Sequence, residues 1–175
     1  MEIIDVTPNT QKDWERIYTE AFPEYEQRRP MAELVTLVEQ QDAIKMQVIV
    51  DDQTIVGVVY LCEIGLSKAF LLYFAIDATI QSKGYGSRAL ATLKERYKDG
   101  VILEAEQVGT QAENEEQRTR RYDFYMRNGL EDKQLLSENS GGVFHLLAST
   151  PDISATEYLQ AMHVMSIEAI VRRDD

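Results

Sequence analysis

Between Lys68 and Tyr97 the sequence changes its hydrophobic period once, and no other feature narrows the fold as far. Leu71-Leu72-Tyr73-Phe74-Ala75-Ile76 is an unbroken apolar run, as a buried strand requires. After Asp77-Ala78-Thr79-Ile80-Gln81-Ser82-Lys83-Gly84-Tyr85-Gly86-Ser87 a helical pattern runs to Tyr97. It puts Ala89, Leu90, Leu93 and Tyr97 on one face and leaves Lys94, Glu95 and Arg96 outside. A strand that passes through a Gly-x-Gly turn into a helix presents a row of unpaired backbone N–H groups. The helix dipole adds positive potential there, so the turn can cradle a pyrophosphate. Glycine suits the turn because the backbone must approach the phosphates and take positive φ. Neither the Walker pattern nor the dinucleotide fingerprint is met, since Lys83 precedes the glycine and no third glycine follows at the needed spacing. Alone, the turn fits an ordinary strand-to-helix connection as well.

The rest of the chain supplies the partners for this unit. Glu2 to Val6 reads as a short strand, followed by a helix from about Thr10 to Ala21 with Trp14, Ile17, Tyr18 and Ala21 on one face. Pro23 and the polar run Glu24-Tyr25-Glu26-Gln27-Arg28-Arg29-Pro30 separate it from a second helix carrying Met31, Leu34, Val35 and Val38. Ile44 to Val50 and Thr54 to Cys62 are rich in β-branched residues and flank Asp51-Asp52-Gln53, as in a hairpin. Val101 to Glu106 is a strand, Asn114 to Asn128 a helix stopped by Gly129, and Leu130–Leu136 and Val143–Ser149 two more strands joined through Ser140-Gly141-Gly142. The last helix opens at Ser154 with Glu157 as capping-box partner, and its buried face is Tyr158, Leu159, Met162, Met165 and Ala169. No repeat or linker divides the 175 residues, so residues 1–175 form one α/β domain with a mixed sheet.

Composition removes several functions. A formal net charge of −12, from 30 acidic and 18 basic side chains, opposes nucleic acid and mildly favours cationic partners. No secretion signal opens the chain and no apolar run approaches a membrane span, so the reading is cytoplasmic, with no membrane partner. The single cysteine, Cys62, sits among apolar residues and reads as core. His145 and His163 lack ligand spacing to Cys or acidic residues, so no metal site is expected.

Two further groups carry chemistry. On a helix, Arg118, Arg121, Tyr122 and Tyr125 share a face by i, i+3, i+4 and i+7 spacing, offering cations to phosphate and a phenol to a leaving group. A solvated arginine stripe balanced by Glu113, Glu115 and Glu116 explains the same pattern. Glu104 and Glu106 point to one face of their strand, and either could accept a proton or pair with an arginine.

Taken together, these segments resemble the GNAT acetyltransferase superfamily. Gln81-Ser82-Lys83-Gly84-Tyr85-Gly86 is similar to its acyl-CoA loop, Gln/Arg-x-x-Gly-x-Gly/Ala. Phe124-Tyr125-Met126-Arg127-Asn128-Gly129-Leu130 resembles its aromatic-Tyr-x-x-x-Gly-Phe segment, and Leu103-Glu104-Ala105-Glu106 the strand between them. The likeness is strongest from Leu71 to Leu130.

The resemblance implies a mixed, mostly antiparallel sheet, flanked by helices, with a V-shaped splay between the strand ending at Ile76 and the strand of Glu104. In that splay the pantetheine arm of acetyl-CoA would pair with backbone at Ala75 and Ile76. Its pyrophosphate would rest on the N–H groups from Ser82 to Ser87, with Gln81, Lys83, Gly84, Tyr85 and Gly86 in the same loop. Tyr125 would protonate the departing thiolate, and Glu104, better than Glu106, matches the usual base position. Arg118 stands where the family often has a cofactor-contacting asparagine. Asn114 lies one helical turn early, and Arg121 is the remaining cation of that face. Leu130 replaces the usual phenylalanine. The implied activity is direct transfer of an acetyl group to a primary amine of a small molecule or peptide, and a homodimer is allowed. A non-catalytic acyl-CoA-binding module of the same fold is the rival, and a nucleotide-binding α/β protein a third reading. Phe22 to Pro30 falls where the family's substrate wall forms, and an exposed connecting loop fits it equally.

Overall fold

Two residues at a hairpin tip set the register of the sheet's first half. Asp52 and Gln53 both take positive φ, 46° and 64°, the twist a tight two-residue turn needs to match its strands. They join β2 (Ile44–Asp51) to β3 (Thr54–Ile64) in the computed structural model, which describes residues 1–23, 28–80 and 83–175. β1 (Glu2–Asp5) lies outside β2, and β4 (Lys68–Ile76) inside β3. Beyond β4 come β5 (Gly100–Glu106), β7 (Gly142–Ala148), β6 (Glu131–Asn139) and β8 (Ala169–Arg173), giving the order β1-β2-β3-β4-β5-β7-β6-β8. The β4–β5 pair is parallel, and the other neighbours are antiparallel. The pattern of elements predicts the mixed sheet, and the resemblance implies its mostly antiparallel character.

The parallel pair opens partway along. Its ladder runs from Lys68 opposite Gly100 to Leu71 opposite Leu103 and stops there. β4 continues to Ile76 against β3, while β5 continues to Glu106 against β7. Two strands that start together and end on different partners have diverged, so a V-shaped gap lies between residues 72–76 and residues 104–106.

Helices cover both faces. α1 (Gln11–Ala21), α2 (Met31–Gln40) and α5 (Ala155–Val164) bury one core that includes Trp14, Tyr18, Leu34, Tyr60, Phe70, Ile102 and Tyr158. α3 (Tyr85–Arg96) and α4 (Glu115–Arg127) bury the other, with Leu61, Leu90, Leu93, Leu103, Ala105 and Tyr125. Each fully buried aliphatic side chain contributes roughly 1.5–3 kcal/mol, so both faces are needed to hold the splayed strands. Trp14 is fully buried and its Nε1 donates to the Gln47 carbonyl at 3.0 Å, as its core reading requires. Cys62 is buried too, and burial pushes its thiol up to about 11, which removes it as a nucleophile near neutral pH. None of the described helices is long and apolar enough to cross a membrane.

The capping box of α5 is present as the sequence predicts: Ser154 Oγ accepts from the Glu157 amide at 3.1 Å, and the Glu157 carboxylate accepts from the Ser154 amide at 3.0 Å. The expected end of that helix is corrected. α5 stops at Val164, Ser166 turns the chain at φ 59°, and Ala169 lies in β8. The chain turns back because the outer edge of β6 needs backbone partners and Ile170-Val171 supplies a β-branched pair for them.

Candidate active site

The gap between β4 and β5 widens into a cleft of about 2010 Å³ that connects the two faces of the sheet. Leu72 to Ile76 form one wall and Glu104 and Glu106 the other. The first turn of α3 closes one end, and Phe22, Arg28, Arg29 and Pro30 border the opposite end. Together with Pro23, those last four are the described members of the Phe22–Pro30 segment. Glu24 to Gln27 lie outside the described residues, as do Gln81 and Ser82 of the loop. Tyr18, Phe22 and Tyr73 stack beside this end, with ring centroids 4.9 to 5.7 Å apart.

At the α3 end, Gly84 is the N-cap and takes φ 75°, a left-handed conformation that glycine adopts without strain. Tyr85, Gly86 and Ser87 follow in the first turn, where helix geometry leaves amides without intrahelical acceptors. This is the local arrangement that suits a phosphate group. Lys83 is exposed beside it. The two glycines are needed for different reasons. A Cβ on Gly84 would meet nothing within 4 Å, whereas one on Gly86 would lie 3.1 Å from the Phe124 ring of α4. Gly86 therefore lets α4 approach α3, a packing reason the motif alone does not show.

Asp77, which the sequence reading passed over, fixes the start of the loop. It is 5% exposed and accepts from the Thr79 amide and hydroxyl at 3.0 and 2.9 Å, while Arg16 Nη2 reaches it at 2.7 Å. The Arg16 bond holds its carboxyl down at about 2, with the Thr79 bonds adding to the effect against burial. Its stabilising charge is thus present above the usual carboxylate range and lost only as pH falls through about 2.

For the cradle we expect Gly84→Ala and Gly84→Val to weaken coenzyme A binding in calorimetry by about tenfold or more. Left-handed backbone costs a residue with a Cβ roughly 1–2 kcal/mol, and tenfold is about 1.4 kcal/mol. Lys83→Ala should cost less. Parental affinity in both Gly84 variants would remove the assignment of this turn.

The two strand carboxylates occupy different environments. Glu106 is held by Arg121 Nη1 at 3.0 Å and faces Arg118 Nε at 3.9 Å. Arg118 also donates to Asn114 Oδ1 at 2.8 Å and to the Gln107 carbonyl at 3.3 Å. Arg118, Arg121 and Asn114 all border the cleft, but the arginines are drawn onto the end of β5. Among the described residues Glu104 forms no ion pair. The Tyr158 hydroxyl and Asn139 Nδ2, the latter at 3.2 Å, donate to its Oε1. Burial raises the Glu104 carboxyl to about 7, and those two hydrogen bonds oppose the rise. A carboxyl that titrates near neutrality beside an open cleft is suited to proton transfer.

Tyr125 enters the cleft from the α4 side, 8% exposed, and its hydroxyl has no hydrogen-bond partner among the described residues. Burial raises its pKa, partly offset by the Arg121 charge, so the phenol keeps its proton. Tyr122 does not join it: its hydroxyl donates to Asp132 Oδ2 at 2.8 Å and its ring meets His145 edge-on. His145 lies 3.4 Å from Asp132 and 3.5 Å from Asp174 through Nδ1. These three could be grouped as metal ligands. However, His145 Nε2 accepts from the Val108 amide at 3.3 Å, which puts the imidazole proton on Nδ1 and takes away the lone pair a metal would need.

The sequence profile of the acetyltransferase (GNAT) family matches residues 11–129. No curated protein matches the chain by sequence. Among solved structures, a protein from Bacteroides thetaiotaomicron assigned to the GNAT acetyltransferases aligns with a TM-score of 0.74 at 23% identity, over 93% of this chain and 94% of that one. An aminoglycoside 6'-N-acetyltransferase complexed with coenzyme A aligns with a TM-score of 0.64 at 15% identity, over 88% and 100%. A chimeric spermidine N-acetyltransferase from Vibrio cholerae aligns with a TM-score of 0.62 at 18% identity, over 91% and 99%. At these identities the shared property is the fold.

Proposed function

The chain belongs to the GNAT acetyltransferase family, and from that premise we propose that residues 1–175 act as one acetyl-CoA-dependent N-acetyltransferase domain that acylates a primary amine by direct attack. The observation that carries this reading is the placement of two proton-transfer groups on opposite faces of one gap. Glu104 belongs to the α5 side, through Tyr158, and Tyr125 to the α4 side. A cleft that joins the faces lets an amine and a thioester meet between a base and an acid.

Acetyl-CoA supplies the activated acetyl group. The residues suited to hold it are Gly84, Tyr85, Gly86 and Ser87 by backbone, with Gln81, Ser82 and Lys83 in the same loop and Ala75 and Ile76 along the open side of β4. Coenzyme A in the aminoglycoside acetyltransferase complex of the same fold supports this choice. An amine attacks only as the free base, so Glu104 takes its proton directly or through one water. Tyr125 donates to the departing sulfur. Glu106 acts chiefly by keeping Arg118 and Arg121 over the end of β5. Small-molecule amines are favoured as acceptors by the aminoglycoside and spermidine enzymes of this fold and by the chain's charge of −12. A peptide amine remains an alternative acceptor.

The test is thiol release from acetyl-CoA across a panel of polyamines, aminoglycosides, amino acids and peptides. Release that depends on a particular amine is expected. Coenzyme A binding without release on any of them would favour the non-catalytic acyl-CoA-binding module.

A further inference from the structure

Tyr158 is fully buried on α5, far in sequence from every motif, yet its hydroxyl reaches the strand carboxylate that faces the cleft. Its position is fixed from three directions. Its ring packs edge-on against Phe70 at 5.2 Å. The preceding residue, Glu157, closes the capping box and pairs with Lys68 of β4 at 3.0 Å. On the β6 side, Ser137 Oγ lies 2.7 Å from the hydroxyl and is itself fully buried.

The direction of these bonds follows from proton count. An ionised carboxylate only accepts, so the Tyr158 proton points to Glu104 Oε1. Tyr158 Oη then only accepts on its other side, and the Ser137 hydroxyl is the donor to it. Asn139 Nδ2 adds a second donor to the same Oε1. Both donors meet one oxygen, and Oε2 has no protein donor among the described residues. A proton arriving on Oε1 would break the chain from Ser137 to Tyr158, while one arriving on Oε2 leaves it whole. We propose that Tyr158, backed by Ser137, is a positioning residue that turns Glu104 Oε2 toward the acceptor amine and makes it the basic oxygen. This rests on the reading of Glu104 as the base.

The surroundings leave this chain as the main local control. Glu106 further along β5 is compensated by Arg121 and Arg118 of α4. Tyr125 of α4, Tyr73 of β4 and the exposed Glu168 beyond α5 border the same cleft. His145 of β7 sits opposite Ala105, so it shares the other face of the strand. Burial and the adjoining carboxylate push the Tyr158 hydroxyl far above its usual range, so it stays a donor throughout the working pH.

The experiment compares pH profiles of kcat/KM for the parent, Tyr158→Phe, Ser137→Ala and Glu104→Gln, with the Glu104 carboxyl followed by carbon NMR in the first three. Tyr158→Phe should move the acid limb, and the NMR titration, upward by about 1–2 pH units, since a charge-assisted hydrogen bond is lost. The KM for acetyl-CoA should hold, and kcat/KM should stay below the parental plateau at high pH, because an ionised Glu104 that is no longer turned still meets the amine poorly. Ser137→Ala should shift both readouts the same way by less, and carries the test if Tyr158→Phe does not fold. An acid limb that vanishes in Glu104→Gln but stays in place in the foldable chain variants would overturn this role while leaving Glu104 as base. A parental limb in Glu104→Gln would remove the base itself, and the positioning role with it.

Discussion

Replacing Glu104 with Gln is expected to lower kcat/KM for the amine about 10²–10⁴-fold near neutral pH, with little change in coenzyme A affinity. Gln keeps the shape and can still accept the Tyr158 proton at its carbonyl, so the loss isolates proton acceptance. The parental enzyme should lose activity as pH falls through about 7, where burial places the Glu104 carboxyl, and the variant should lack that limb. Stability gives an independent reading with the opposite sign. A carboxyl raised from 4.5 to about 7 in the folded state stabilises the fold when protonated, and that contribution disappears as pH rises through about 7. The variant should therefore be more stable than the parent at pH 8, by up to about 3 kcal/mol in denaturant unfolding, and the difference should shrink toward pH 5. Glu106→Gln should behave differently, because it releases two arginines rather than a base. An unchanged pH profile in both single variants and in the double variant would leave the two carboxylates a structural role only.

Local signals were legible in the sequence because their causes are local. The strand, turn and helix from Lys68 to Tyr97 follow from a change of period and a glycine that must take positive φ. The capping box at Ser154 depends on residues within one turn. What stayed hidden depends on which surfaces meet. The short distance from Gly86 to Phe124 arises only when α4 packs on α3. The bond from Tyr158 to Glu104 crosses from a helix to a strand on one side of the sheet. The alternation of β5 places Glu104 on the face shared with Ile102, but which helix covers that face is a matter of topology. Likewise β8 was concealed because Ala169 suits the period of the preceding helix, and only the open edge of β6 makes it a strand. The Arg118–Tyr125 face reads as one stripe in sequence, and β5 and β6 divide it: the arginines go to Glu106 and Tyr122 to Asp132.

That division makes Tyr125→Phe a clean substitution. The ring should remain between Phe124, 5.4 Å away by centroid, and the core under α4, so fold and coenzyme A affinity should survive. The change removes one O–H, the one that has no hydrogen-bond partner among the described residues and keeps its proton because it is buried. That proton is needed only as the carbon–sulfur bond breaks, so kcat should fall while KM for acetyl-CoA stays near its parental value. A thiolate is already a fair leaving group, which places the loss at the low end of the roughly 10²–10⁴ expected of acid catalysis. Tyr122→Phe is the internal comparison. It deletes a hydrogen bond to the Asp132 carboxylate and should lower stability by about 1.5–3 kcal/mol while leaving kcat in place. Full kcat in Tyr125→Phe with a loss in Tyr122→Phe would mean that the wrong phenol faces the sulfur. Full kcat in both would assign protonation of the thiolate to water or to the ammonium formed on the acceptor.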